Sequence, residues 1–183
     1  MAALVSGTSG PRVLAPAAAA DRLSANADAI SALLRGVSSE QALWQPEPGQ
    51  WCVLEVVNHL ADEEADDFRQ RLEMLLTHPG DTWPSIDPTG WPASRGYRDR
   101  RLDESLARFR KEREHSVVWL RGLTAPDLEA TYPHPSIGAI RAGDLLTAWL
   151  AHDLIHVRQL TRLHYRWLAQ AAAPFRPDYA GPF

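Results

Sequence analysis

The segment 141–170 constrains the fold more than any other stretch of this 183-residue chain. It contains no proline, and Leu145, Trp149, Leu160, Leu163 and Trp167 recur in it at the spacing of one helix face. His152 and His156 are four residues apart on the flank of that stripe, so a helix sets one ring a turn above the other. Burying two imidazoles leaves polar nitrogens that need partners. A shared metal ion supplies them, and so do two separate hydrogen bonds at a helix interface. A third ligand is needed to decide between these readings.

The rest of the chain offers partners for such a helix. Pro16 suits a first helical turn, and Leu23, Ile30, Leu33, Leu34 and Val37 keep helical spacing after it. Ser38 caps a short turn through Trp44, which Gln45-Pro46-Glu47-Pro48-Gly49 breaks. A second long helix is expected over 52–77, with Val53, Val56, Val57, Leu60, Phe68 and Leu75 inward and His59 and Glu63 at the edge of that face. Glu64 and Asp67 fall near the middle of its apolar sector. Such a charge run reads either as a solvated face or as carboxylates lining a polar cavity that holds a cation. Residues 78–95 form a long loop with Trp83 and Trp91, which either close over a pocket or pin the loop to the body.

A third helix is expected over 99–122, with Leu102, Leu106, Phe109, Val117 and Leu120 inward and the charged residues Arg108–Glu114, as well as His115, facing solvent. Residues 132–138 read as extended loop. With four amphipathic helices and no strand expected, the fold class is all-α, a four-helix bundle. The domain is expected over 16–170, between a flexible arm at 1–15 and a surface tail at 171–183.

Charge and cysteine content narrow the function. A net charge of -4 with 23% charged residues argues against nucleic acid or an anionic membrane as partner. No apolar run reaches membrane-span length, and the N-terminus lacks the basic start of a signal peptide. The single Cys52 allows no internal disulfide, which suits a reducing cytoplasm. Its place at a helix start could lower its pKa, but no adjacent general base is identifiable.

If the second and fourth helices adjoin, His59 meets His152 and His156. Three imidazoles suit zinc, nickel or iron, with a position left open for water or a thiol. The run Trp44-x6-Trp51-x3-Glu55-x2-Asn58-His59-Leu60-x3-Glu64-x3-Phe68-x2-Arg71, followed by Gly143-Asp144-Leu145-Leu146 and His152-Asp153-x2-His156-x2-Gln159-Leu160, resembles the DinB-like (YfiT-like) superfamily over residues 20–165. The resemblance implies an up-down-down-up bundle, a metal triad at His59, His152 and His156, and often a homodimer. It also implies a metal-dependent hydrolase or a transferase that uses one divalent ion to activate water or a low-molecular-weight thiol. A non-catalytic, stress-associated metal-binding bundle is the alternative.

Other candidates surround the triad. Glu63 and Asp66 are placed by helical position to orient a ligand imidazole, and Gln159 lies on the His152/His156 side. Asp153 stands where zinc proteases of the His-x3-His type carry glutamate, but it points about 100° away from the histidines and reads either as support for a neighbouring element or as a hydrogen-bond partner of a ligand ring on a different helix. Trp149 is expected in the core, Trp44 and Trp51 as clamps on the first connection, and His78 and His164 at the surface. Tyr132 and His134 are on a loop that could reach a pocket mouth.

Overall fold

The computed structural model describes residues 15–183. The arm expected at 1–15 lies outside the described residues, apart from Ala15. Helix α1 spans Pro16–Leu33 and α2 spans Ser39–Leu43, where the Ser38 hydroxyl accepts from Gln41 N–H at 3.1 Å. The long second helix is divided. α3 covers Val53–Glu63, a π-helical turn covers Glu64–Phe68, and α4 covers Arg69–Thr77. α5 is a single turn at Trp91–Ser94 inside the expected loop, α6 is Leu102–Gly122, and α7 is Ala142–Ala171.

Two apolar clusters set the helix directions. One gathers Ala19 and Leu23 of α1, Leu72 and Leu75 of α4, Val117 and Leu120 of α6, and Leu145, Leu146 and Trp149 of α7. The other gathers Ala27 and Ile30, then Val56, Val57 and Leu60, then Phe109, then Leu160 and Leu163. Thus α1 and α7 run from the first cluster to the second, while α3–α4 and α6 run the opposite way. This is the up-down-down-up bundle that the resemblance implies. α1 packs against α6 and α7, and α3 packs against the same two helices, so α3 and α7 are neighbours. Each buried leucine in these clusters contributes roughly 1.5–3 kcal/mol of transfer free energy.

The segment before α7 is not a plain loop. Thr131–His134 (β1) and Gly138–Arg141 (β2) pair antiparallel, with Tyr132 opposite Ile140 and His134 opposite Gly138. Gly138 closes the three-residue connection at φ +78, a conformation glycine adopts without strain. Pro133 is tolerated because a two-stranded ribbon consists only of edges. Two prolines in Tyr132-Pro133-His134-Pro135 conceal the strand from a reading of the sequence.

Between the apolar clusters lies a polar layer. Every long helix contributes to it: Asn26 from α1, His59 and Glu63 from α3, Arg113 from α6, Asp153 and His156 from α7, all buried. Glu64 joins it from the π turn. Glu64 continues the buried face of Val57 and Leu60 at 1% exposure, and the extra residue in the turn shifts the helix phase after it, with Phe68 in the core. The acidic run is therefore not a solvated face.

Candidate metal centre

His59 sits in the middle of α3, and His152 and His156 sit one turn apart on the facing side of α7. Their Nε2 atoms converge. His152 Nε2 lies 3.2 Å from His59 Nε2 and 3.1 Å from His156 Nε2, and one ligand nitrogen from each ring falls within 4.8 Å of the others. Tetrahedral ligation at about 2.0–2.1 Å spaces ligand nitrogens by roughly 3.3 Å, so the constellation has the size of a zinc-type site.

The protonation chemistry fits as well. Burial pushes all three imidazoles down, His59 to about 3 and His152 to about 2, and the neighbouring His156 ring adds to the effect on both. The rings are neutral at physiological pH and present lone pairs. His156 Nδ1 lies 2.7 Å from Gln159 Oε1, an acceptor; Nδ1–H therefore donates there and Nε2 is left with its lone pair facing inward. The buried His59 Nδ1 has no hydrogen-bond partner, and the closest approach of Glu63 Oε1 is 3.8 Å. Three neutral rings aimed at one point cannot satisfy one another by hydrogen bonds alone. The donor set fits a divalent ion.

The other sequence candidates divide. Gln159 and Glu63 stand beside the triad as expected. Burial and the adjacent Asp67 raise the Glu63 carboxyl, and burial raises Asp67 in turn. Asp66 does not reach the histidines; it is partly exposed and accepts from Arg95 at 2.6 Å. Trp91 is buried with its ring 6.5 Å from His59 and carries the Arg95 guanidinium 4.1 Å above its centroid. Trp83 is not part of the triad's surroundings. It stacks on Tyr132 at 3.8 Å, with His134 edge-on, and so pins the loop to the β1–β2 hairpin.

Several expectations fail for stated reasons. Arg113, expected in solvent, is 2% exposed because α6 turns it into the polar layer. It donates to Asp153 Oδ1 and Oδ2, both at 2.7 Å, to Glu64 Oε1 at 2.6 Å and to the Leu23 carbonyl at 2.8 Å. Asn26 adds a bond to Asp153 at 3.0 Å, and Trp149 Nε1 adds one to Glu64 at 2.6 Å. The cation that Glu64 faces is an arginine. Of the two readings of Asp153, the structure shows the first: it bonds Arg113 and Asn26. His164 is half-buried rather than at the surface, with Nδ1 2.9 Å from Gln41 Nε2. Cys52 is buried and its thiol is pushed up to about 11, the reverse of activation.

Two contributors escaped the sequence reading. Trp51 does more than clamp the connection: its ring lies 4.8 Å from His59 and is parallel to His156 at 6.5 Å. Asp62 is buried and accepts from Tyr97 Oη at 2.5 Å, from Arg95 at 2.7 Å and from Arg108. Burial alone would raise its carboxyl, but these partners outweigh burial and hold it below the usual range. Beside the triad is a cavity of about 510 Å³ lined by Trp51, His156, Gln159, Gln50, Arg162 and Arg166 among others.

A family model described as the DinB superfamily matches residues 22–160. The chain is 26% identical over 127 residues, 69% of its length and 73% of the relative's, to OB0782 of Oceanobacillus iheyensis, which is named as a candidate metal-dependent hydrolase. It also superposes on YfiT from Bacillus subtilis with a TM-score of 0.73 and 21% identity, covering 83% of this chain and 87% of that one. YfiT is described as a probable metal-dependent hydrolase with an unusual four-helix bundle topology.

Proposed function

Since the chain belongs to the DinB superfamily, we propose that it is a metal-dependent hydrolase or transferase acting on a small molecule, with His59, His152 and His156 holding one divalent ion. The observation that carries this reading is the convergence of three neutral imidazoles on one point, His59 and His156 buried and His152 half-buried. Zinc, nickel and iron all suit three imidazoles. When bound, such an ion supplies Lewis acidity toward water, a thiol or a carbonyl.

The residues of the chain have separate tasks in this reading. Gln159 fixes the tautomer of His156 and thereby keeps its Nε2 available. Glu63, whose carboxyl is raised by burial and by Asp67, lies 3.8 Å from His59 Nδ1 and can hold a proton beside the site. Trp51 and Trp91 shield the rings from bulk water, which strengthens every polar interaction inside.

A cytoplasmic homodimer completes the proposal. Among the described residues no helix is long and apolar enough to cross a membrane. Leu154 and Ile155 stand exposed on the outer face of α7, which suits a second copy of the chain.

The test is turnover on a panel of esters, amides and thiol–electrophile pairs, using protein stripped by chelator and reloaded with zinc, nickel or iron. Turnover that returns with one of the ions and is missing in His59→Ala supports the reading. Protein carrying a full equivalent of each ion with no turnover above buffer would favour the non-catalytic, metal-sequestering alternative.

A further inference from the structure

The cavity beside His156 carries a charge pattern unlike that of the clefts at Arg71 and Arg110. Its ionisable lining, apart from His156, is Arg162 and Arg166, with no carboxylate. An adjoining cavity of about 630 Å³ shares Gln159 and Arg162 with it and adds Arg158, again without an acidic side chain, although the last residue, Phe183, also lines it. By contrast, the cleft at Arg71 contains Asp67, paired with it at 2.9 Å, and the cleft at Arg110 contains Asp28, paired at 3.1 Å.

Arg158, Arg162 and Arg166 occupy successive turns of α7, each four residues from the next. Like charges at that spacing repel one another and destabilise a helix. The ordinary remedy is an interleaved acid. Among the described residues the one ion pair they make is Arg166 with Glu47, a loose 3.9 Å contact, and Arg166 also reaches Gln50 Oε1 at 3.5 Å. The segment 1–14 contains no Asp or Glu that could complete the pairing. The chain as a whole is acidic, so this positive ladder is a local feature and not a consequence of composition.

We infer that this ladder is the anion-binding mouth of the triad, and that the substrate is a small molecule whose carboxylate or phosphate group is held by Arg162 and Arg166 while its reactive end lies against Trp51 and His156. The inference rests on the proposed function for the role of the triad, but the anion site is defined by the arginines alone. Guanidinium groups suit both anions because their planar donors match two oxygens at once.

The experiment compares three thiols that differ in one end: 3-mercaptopropionate, 2-mercaptoethylphosphonate and the neutral 3-mercaptopropionamide. Each is titrated into cobalt-loaded protein and followed by the thiolate-to-cobalt absorbance, with cobalt content measured on every sample. The wild type is expected to bind at least one of the two anionic thiols about tenfold more tightly than the amide. Arg162→Gln/Arg166→Gln is expected to erase that preference without changing cobalt content, and the anion that binds better names the substrate group.

The same series is read on metal-free protein from the Trp51 indole N–H resonance, assigned with Trp51→Phe. A failure to load cobalt then counts against the triad and leaves the arginine mouth testable. Equal affinities for acid, phosphonate and amide in both readings would overturn the inference. So would a preference that survives in the double variant.

Discussion

Arg113 and His152 share the polar layer of the bundle, close enough for the arginine charge to add to the depression of the imidazole pKa, yet their surroundings are opposite. Around Arg113 most polar groups are paired directly, with Arg113 Nε and Glu64 Oε2 left without a partner. One guanidinium meets two carboxylates, a backbone carbonyl fills a further donor, and Asn26 and Trp149 bond to the same acids. Around His152 the Nε2 atoms of three rings converge with no carboxylate among them. The first assembly ties α1, α6, α7 and the π turn together and is held almost wholly by its own ion pairs. The second joins α3 to α7 through groups that satisfy one another poorly. A buried polar cluster that is closed reads as structure, and one whose donors are missing reads as a binding site.

The sharpest way to break this contrast is Arg113→Met. It strands Glu64 and Asp153 without their cation, so a loss of roughly 3–5 kcal/mol is expected in urea unfolding of metal-free protein. A loss below about 1 kcal/mol would mean that the network is not closed in the sense argued. The triad should behave the other way. Zinc at about one hundred times its dissociation constant should stabilise wild-type protein by roughly 2.7 kcal/mol, and His152→Ala should abolish that gain while changing metal-free stability much less. Thermal unfolding with and without zinc checks both parts.

Much of this contrast could be read from the chain before any coordinates. The four long helices, their directions and the three histidines follow from apolar spacing and from a family-like pattern around His59 and His152-x3-His156. Arg113 could not be found that way, because it lies in the run Arg110-Lys111-Glu112-Arg113-Glu114, where its neighbours on either side are exposed or half-buried. A helical wheel does place it one turn from both Phe109 and Val117, and that position was the available signal. Glu64 and Asp67 looked misplaced in the apolar sector because their partners, Arg113 and Arg71, are not visible from helical spacing alone. The π turn that begins at Glu64 leaves no mark in composition. The role of Trp51 was hidden because it precedes its helix and reaches back over the first two turns of it.

Smaller effects sharpen the comparison. Gln159→Leu removes the acceptor that holds His156 Nδ1–H, so zinc affinity should fall about tenfold in a competition titration, with little change in metal-free stability. An unchanged affinity would show that Gln159 does not orient the ring. Acidification gives the last test. With folded pKa values of about 3 and 2 for His59 and His152, against about 6.5 when unfolded, the unfolded chain binds the extra protons between those limits. Metal-free stability should therefore be level above about pH 6.5 and fall below it, by about 1 kcal/mol per histidine at pH 5.5. His152→Ala should make that slope shallower, and an identical slope in both proteins would contradict the neutral, buried state assigned to the ring.

The most direct test of the central claim is elemental analysis of protein purified without a histidine tag, beside His59→Ala/His152→Ala prepared in the same way. The account predicts about one equivalent of a divalent metal in the wild type and none in the double variant. No metal in either protein after exposure to zinc, nickel and iron, or equal metal in both, would contradict it.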